Sequence, residues 1–430
     1  MPPFAQALLA RGLSPRVGLV LVVLAQCLGT SLWFSPAGAS GGLMARWQLQ
    51  SADFAWLLAS TQLGFIAGTF LLAWTGVADR WRASRLFGLS CGLGAVANAA
   101  LVWPDVSFAQ AWWIRAGVGL CLAGIYPLGM KLVVQWVGGR PALALAWLVA
   151  MLTGGTAMPH ALRAYGVVWP WEHVLWGASL LALVGGALVA AAGDGPFMVS
   201  NSNSTATAKV QRANSVPMNA RWRALMERPA LRASAFGYFG HMWELYAFWS
   251  VVPYLVSALW TASPPGSLWW VPGVIAAGAF GCLVGGYAAR CWGSAIVAFV
   301  ALAGSASVCA IYPWIPTDWL SVRLALLVLW GVLVVADSPQ FSALSSQAAP
   351  PELMGQALVV QNGLGFLISV VSILVLGSWI STWGDRALWL LLPGPLLGLW
   401  AMRPLFQRAD ALGACEASSG KPSAAFKAPN

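Results

Sequence analysis

Phe239-Gly240-His241-Met242-Trp243-Glu244-Leu245-Tyr246-Ala247-Phe248-Trp249 lies in the middle of an apolar run from about Ala233 to Trp260. Read as a membrane helix entering at Ala233, the run carries Glu244 roughly 16 Å deep, at ~1.5 Å per residue. That is near the middle of a ~30 Å hydrocarbon layer. A carboxylate there is costly unless it faces protein, water or a partner, so its position alone makes it a functional candidate. His241 stands one helical turn earlier on the same face.

The rest of the chain has the same character. Of its 430 residues 59% are hydrophobic and only 8% charged, against about 25% in a soluble domain. Spanning-length runs recur twelve times, near 17–39, 53–75, 85–103, 108–136, 142–165, 173–193, 233–260, 268–289, 294–315, 319–345, 354–380 and 386–406. Breaks carry Gly, Pro and charge, as in Gly138-Gly139-Arg140-Pro141 and Ala349-Pro350-Pro351-Glu352. Trp crowds the run ends in the manner of an interfacial belt. The fold class expected is an all-α integral membrane protein. The net charge of +10 does not imply a nucleic-acid partner. Eighteen of the 23 Lys and Arg fall on one side of the expected topology, three (Arg46, Arg163, Arg386) on the other, and Arg115 and Arg323 within apolar runs. That is the positive-inside pattern, with both termini cytoplasmic in an inner (plasma) membrane. The seven Cys have no metal spacing; five sit in apolar runs and read as small buried hydrophobes, with Cys291 in a short cytoplasmic turn and Cys415 in the tail. No nucleotide-binding loop occurs, so transport energy would come from a gradient.

The two halves repeat with an offset of about 211–212. Gly29 matches Gly240, Ala78-Asp79-Arg80-Trp81 matches Ala289-Arg290-Cys291-Trp292, Gly119 matches Gly331, and Tyr126-Pro127 matches Ser338-Pro339. The expected organisation is a six-helix bundle over 1–193, a cytoplasmic linker over 194–232, a second bundle over 233–406 and a disordered cytoplasmic tail over 407–430. Arg11 and Arg16 before an apolar run, with Ala37-Gly38-Ala39 after it, have the layout of a signal peptide. The repeat partner makes this segment a retained first helix. A duplicated bundle places a solute path between its halves near the midplane.

Only Glu244 and Asp337 among the 13 Asp and Glu fall well inside apolar runs. Arg115 is roughly 10 Å from the outer end of the fourth run, too deep to snorkel easily. It is expected to face a cavity or to pair with Glu244, whereas Arg323, roughly 6 Å from its outer end, is expected to snorkel. Gln26 and Trp33 on the first run, Tyr126 and Lys131 on the fourth, and Gln361 and Asn362 on the eleventh complete the polar and aromatic candidates. Pro127 and Pro339, at equivalent places in the repeat, are expected to kink helices four and ten. His160 and Arg163 sit near the outer mouth and read as interfacial.

Val77-Ala78-Asp79-Arg80, followed by Arg82 and Arg85, and Arg115-x-x-x-Gly119-x-x-x-Ala123 resemble two signatures of the major facilitator superfamily. The resemblance covers essentially residues 15–406. It implies twelve transmembrane helices in two pseudo-symmetric six-helix bundles, a cavity lined by helices one, four, seven and ten, and alternating access. In that frame Asp79, Arg80 and Arg82 form a cytoplasmic gate. Glu244, His241, Arg115, Asp337, Gln26, Trp33, Tyr126 and Lys131 belong to a substrate and proton cavity. Leu32-Trp33-Phe34-Ser35-Pro36 and Ala123-Gly124-Ile125-Tyr126-Pro127 are loosely similar to the nitrate, nitrite and cyanate branch. The second-helix Arg and the Gly-Gly-Gly-Asn motif of nitrate porters are missing, so nitrate is not expected. The function expected is a non-enzymatic secondary transporter of a small anion or carboxylate, coupled to protons. The alternatives are a proton-coupled exporter of hydrophobic compounds and a non-transporting sensor. Partners would be the solute, H+ and the bilayer, with no nucleic acid, cofactor or metal, for a monomeric chain.

Overall fold

The computed structural model describes residues 13–137, 142–166, 169–197, 223, 225–260, 264, 266–350 and 353–406. Most of the expected linker, the tail and the side chain of Asp79 lie outside the described residues, as do the turns at 138–141 and 351–352.

Among the described residues the chain makes twelve helical passes. They are α1 (Pro15–Thr30, continued by Ser35–Gly38 and Ser40–Trp47), α2 (Ser51–Thr75), α3 (Ala83–Ala100) and α4 (Phe108–Ala123, then Tyr126–Val137). Next come α5 (Ala142–Tyr165), α6 (Glu172–Ala192), α7 (Pro229–Ser257), α8 (Trp270–Trp292) and α9 (Ser294–Ile311). The last are α10 (Leu320–Ala336, then Ser338–Ala348), α11 (Met354–Trp383) and α12 (the 3-10 turn Gly384–Leu391, then Pro393–Ala401). Eight helical segments are long and apolar enough to cross a membrane. Local sequence sets several ends. Ser107 and Gln110 form a capping box at the start of α4, and Gln50 and Asp53 another at α2. Gly76, at φ 63°, stops α2 in the left-handed conformation that a side chain disfavours.

Within the first half α2 packs on α4 and α6 packs on α1 and α3; in the second, α8 packs on α10 and α7 on α12. The halves meet along α2 with α11 and α5 with α8. Small residues set these distances. A Cβ on Gly119 would overlap the Thr61 carbonyl on α2, and one on the repeat-equivalent Gly331 would overlap the Val274 carbonyl on α8. Across the halves, Gly377 of α11 leaves room for Ala55 of α2.

One departure from the symmetry shapes the site. α1 leaves the helical path at Ser31–Phe34, whereas α7 runs unbroken for 29 residues. Breaking a helix in apolar surroundings frees carbonyls that must find donors. Here Arg115 supplies them. Leu327, 212 residues on, cannot do so for α7.

Candidate transport site

Arg115 of α4 is completely buried. Its Nη2 donates to the Leu32 and Trp33 carbonyls at 3.0 and 2.8 Å. Its Nη1 reaches Asn98 Oδ1 at 2.9 Å and Ser35 Oγ at 3.3 Å, and its Nε reaches Thr61 Oγ1 at 3.1 Å. These acceptors are neutral and all lie in the first half. The expected pairing with Glu244 is not formed, because the guanidinium is engaged by the broken strand of α1. Asn98, Ser35 and Thr61 were not singled out in the sequence. A lone amide inside an apolar run, as Asn98 is, was the available signal for a buried Arg's acceptor.

With α1 held in this shape, Trp33 and Phe34 project into an aromatic cluster between the halves. Trp33 lies 4.9 Å from Phe65 of α2, 5.7 Å from Tyr246 of α7 and 5.7 Å from Phe366 of α11, ring centre to ring centre. Phe34 stacks on Tyr246 at 6.2 Å and meets Trp249 edge-on at 5.9 Å. All six rings are buried. The indole N–H groups of Trp33 and Trp249 have no hydrogen-bond partner among the described residues. Beneath the cluster lies a cavity of about 30 Å³, lined by Tyr126, Tyr238, Met242, Tyr246, Trp249, Ser338 and Phe366 among others, with no charged side chain. Above it, at the end of the bundle bearing the α1–α2 connection, a vestibule of about 370 Å³ opens between the halves. Tyr246, Trp249, Phe65 and Phe366 were not chosen in the sequence, where aromatic residues are too abundant to single out.

Glu244 faces elsewhere. On α7 the residues toward the small cavity are Tyr238, Met242, Leu245, Tyr246 and Trp249, one stripe at helical spacing. His241, Glu244 and Phe248 form the neighbouring stripe, turned into their own half. Ser305 Oγ of α9 donates to Glu244 Oε1 at 2.6 Å and Trp330 Nε1 of α10 donates to the same oxygen at 2.7 Å. Phe248 stacks on Trp330 at 4.4 Å. Glu244 Oε2 is buried without a partner. Glu244 lines neither the small cavity nor the vestibule. His241 Nδ1 lies 2.8 Å from Asp337 Oδ1, with both residues 1% exposed, so His241 pairs with Asp337 rather than with Glu244.

Asp337 occupies the interruption of α10, just before Ser338 and Pro339, and α4 is interrupted at Gly124–Ile125, just before Tyr126 and Pro127. The two breaks correspond in the repeat. Gln26 is fully buried against α4, where a Cβ on Gly129 would overlap its Oε1, and both its amide atoms lack partners. The Gln361 amide is likewise buried and unpartnered.

A sequence model of the Major Facilitator Superfamily matches residues 19–373. The chain belongs to the major facilitator superfamily. The fold is similar to the crystal structure of the nucleoside transporter NupG in a mutant form, with a TM-score of 0.69 and 12% identity over 90% of this chain and 100% of that one. It is also similar to a bacterial homologue of the human lysosomal transporter Spinster, inward-facing and unoccupied, with a TM-score of 0.62 and 14% identity over 90% of this chain and 94% of that one. A search of curated protein sequences found no match. The chain is therefore a transporter of this superfamily, built as two six-helix bundles, and not an enzyme.

In this facilitator the α2–α3 loop is organised from within its own half. Val77–Arg80 forms one helical turn, and Lys131 Nζ donates to the Ala78 carbonyl at 2.5 Å, so Lys131 ties down the loop rather than lining the small cavity. Arg82 Nε lies 3.0 Å from Asp194 Oδ2, and Asp194 Oδ1 accepts from the Ser84 backbone N–H at 2.8 Å. Asp194, placed in the linker by sequence, is thus a buried cap on α3. Arg80 is exposed. Arg323 does not snorkel. It is 2% exposed, ion-paired to Asp385 at the start of α12, and 4.6 Å over the Tyr312 ring.

Proposed function

We propose that this facilitator moves a small organic anion, a carboxylate on an apolar or aromatic body, coupled to protons across the cell inner membrane. The observation carrying the reading is the aromatic cluster between the halves, with the unpartnered indole N–H groups of Trp33 and Trp249. Buried donors without acceptors cost about 1–3 kcal/mol each, and a ligand oxygen would remove that cost. Flat rings on both sides suit a planar body. The small cavity, at about 30 Å³, is closed around nothing larger than water. The cluster must therefore part for solute to pass, which suits a gate that the solute itself wedges open.

Coupling is assigned to Asp337 and His241. They sit at the α10 interruption, whose Ser338 lines the small cavity. A proton on Asp337 weakens the ionic contact to His241 and frees the interruption to flex. Glu244, held by Ser305 and Trp330, is a second proton holder one turn along α7. A competing reading is a proton-coupled exporter of hydrophobic compounds, favoured by the absence of a cation among the described residues lining the small cavity.

Uptake into proteoliposomes under an imposed pH gradient tests this. Labelled benzoate should accumulate, and nitrate and tetraphenylphosphonium should not compete. Trp249→Phe keeps a ring but removes the N–H, and should raise KM about tenfold, near the 1.5–3 kcal/mol of a hydrogen bond to a charged group. Asp337→Asn should abolish gradient-driven accumulation and preserve exchange. Competition by tetraphenylphosphonium alone would favour the exporter.

A further inference from the structure

The vestibule has a chemistry that the central cluster lacks. Its described lining carries one cation, Arg163, and one imidazole, His160, and no carboxylate. His160 and Arg163 lie three residues apart on α5, so they share a helix face. His160 is 4% exposed, and its Nε2 is buried with no hydrogen-bond partner. α5 is held in place there because Gly38 of α1 abuts the Pro159 backbone, where a Cβ would collide. Among the described residues Arg163 makes one hydrogen bond, from Nη1 to the Trp169 carbonyl at 3.2 Å, which leaves its other N–H groups for a ligand. Of the serines in the lining, two on α7 are engaged within their own helix: Ser250 Oγ donates to the Ala247 carbonyl at 2.7 Å and Ser257 Oγ to the Tyr254 carbonyl at 2.8 Å.

Of the neighbouring acids, Asp53 and Asp385 are engaged elsewhere, and Glu172, beside Trp171 in the chain, has an Oε2 that is buried and unpartnered among the described residues but does not line the vestibule. Asp53 accepts from the Gln50 backbone N–H in the α2 cap, and Asp385 pairs with Arg323. Opposite α5, the walls at Phe54, Leu58, Val251 and Ile380 are apolar. At about 370 Å³ the vestibule falls within the ~300–1,000 Å³ range of small-molecule sites.

We infer that the vestibule is an anion-capture site, in which Arg163 and His160 hold the carboxylate of a small organic acid while the apolar wall covers its body. The inference rests on the transport reading above for the passage that follows capture, but the site itself is separate. Its floor reaches Ser250 and Val251, which adjoin Trp249 in the chain, so a captured solute lies directly over the aromatic cluster. Arg163 sorts solutes by charge, and the rings below sort them by shape.

Equilibrium binding of labelled benzoate to the purified full chain, competed by benzamide, tests the site. Benzoate should bind saturably and benzamide should compete at least tenfold more weakly. Arg163→Gln should weaken benzoate about tenfold or more, Arg163→Lys should restore part of the loss, and His160→Phe should weaken benzoate selectively, all with unchanged melting temperature. Unaltered benzoate binding by a folded Arg163→Gln protein overturns the inference, as does benzamide competing as well as benzoate. If Arg163→Gln is silent while Trp249→Phe impairs uptake, the vestibule site fails and the central reading stands. If Arg163→Gln weakens binding while Trp249→Phe transports normally, the capture site stands and the central reading fails.

Discussion

Arg115 is a charge buried without a counter-ion among the described residues, and its five contacts show why the protein tolerates it. The guanidinium fork meets two carbonyls of the α1 break and three side chains of the same half. Removing it leaves the Trp33 carbonyl unpaired in the buried break and leaves the Leu32 carbonyl only the Ser35 hydroxyl. Arg115→Met should therefore cost about 3 kcal/mol, within the usual range for a buried charged partner. The readout is a melting temperature several degrees lower in detergent. Arg115→Lys, a point donor that cannot span both carbonyls and Asn98, should also melt early. An unshifted Arg115→Met protein would show that the break is held by other contacts. What the sequence revealed at this scale was depth: counting residues from the run ends located Glu244, Asp337 and Arg115 in the apolar layer. Direction was not legible. The one-residue difference between Glu244 and Leu245 decides between the half's interior and the small cavity, and that depends on how α7 is rotated against α9 and α10.

At the scale of elements, the duplication was readable because glycine leaves a sharp signature. Gly119 and Gly331 keep the repeat register, and both stand where helices touch backbone to backbone, α4 on α2 and α10 on α8. Gly117, on the same helix as Gly119, has nothing within 4 Å of its Cβ position. Gly119→Ala should therefore destabilise the protein by ~1–3 kcal/mol through overpacking. Gly117→Ala should be neutral or stabilising by up to ~1 kcal/mol through helix propensity. Melting temperatures of the pair decide it, and an equal effect of both would refute the close α2–α4 contact. The α1 break was not legible from the register. Trp33 pairs with Glu244 in the repeat, but Pro36 of α1 has Ala247 as its counterpart in α7, a difference that the matched positions of the register do not include. Pro36, which cannot donate back to the Leu32 carbonyl, marks the break locally, and Arg115 on α4 pairs the carbonyls so freed.

For the whole molecule, twelve passes in two halves follow from hydropathy and the repeat, while the state of the path between them follows from packing alone. The vestibule is open at the end bearing the α1–α2 connection, and the aromatic cluster shuts the path below it. Which side of the membrane that end faces is set by charge. Among the described residues Arg80, Arg82, Arg85, Arg228, Arg232 and Arg290 lie at the opposite end, and we propose from the positive-inside rule that the vestibule faces outward. Two exposed positions read the orientation directly. Ser257 lines the vestibule at the end of α7, and Cys291 lies at the opposite end, in the last turn of α8. In intact cells a membrane-impermeant maleimide should label Ser257→Cys in a background lacking the native cysteines. The native Cys291, kept alone, should react only after the membrane is opened. Benzoate bound beneath Arg163 should slow labelling at Ser257→Cys without affecting Cys291, because only the first thiol borders the capture site. The reverse labelling pattern would turn the whole molecule over in the membrane, and the vestibule would then face the cytoplasm.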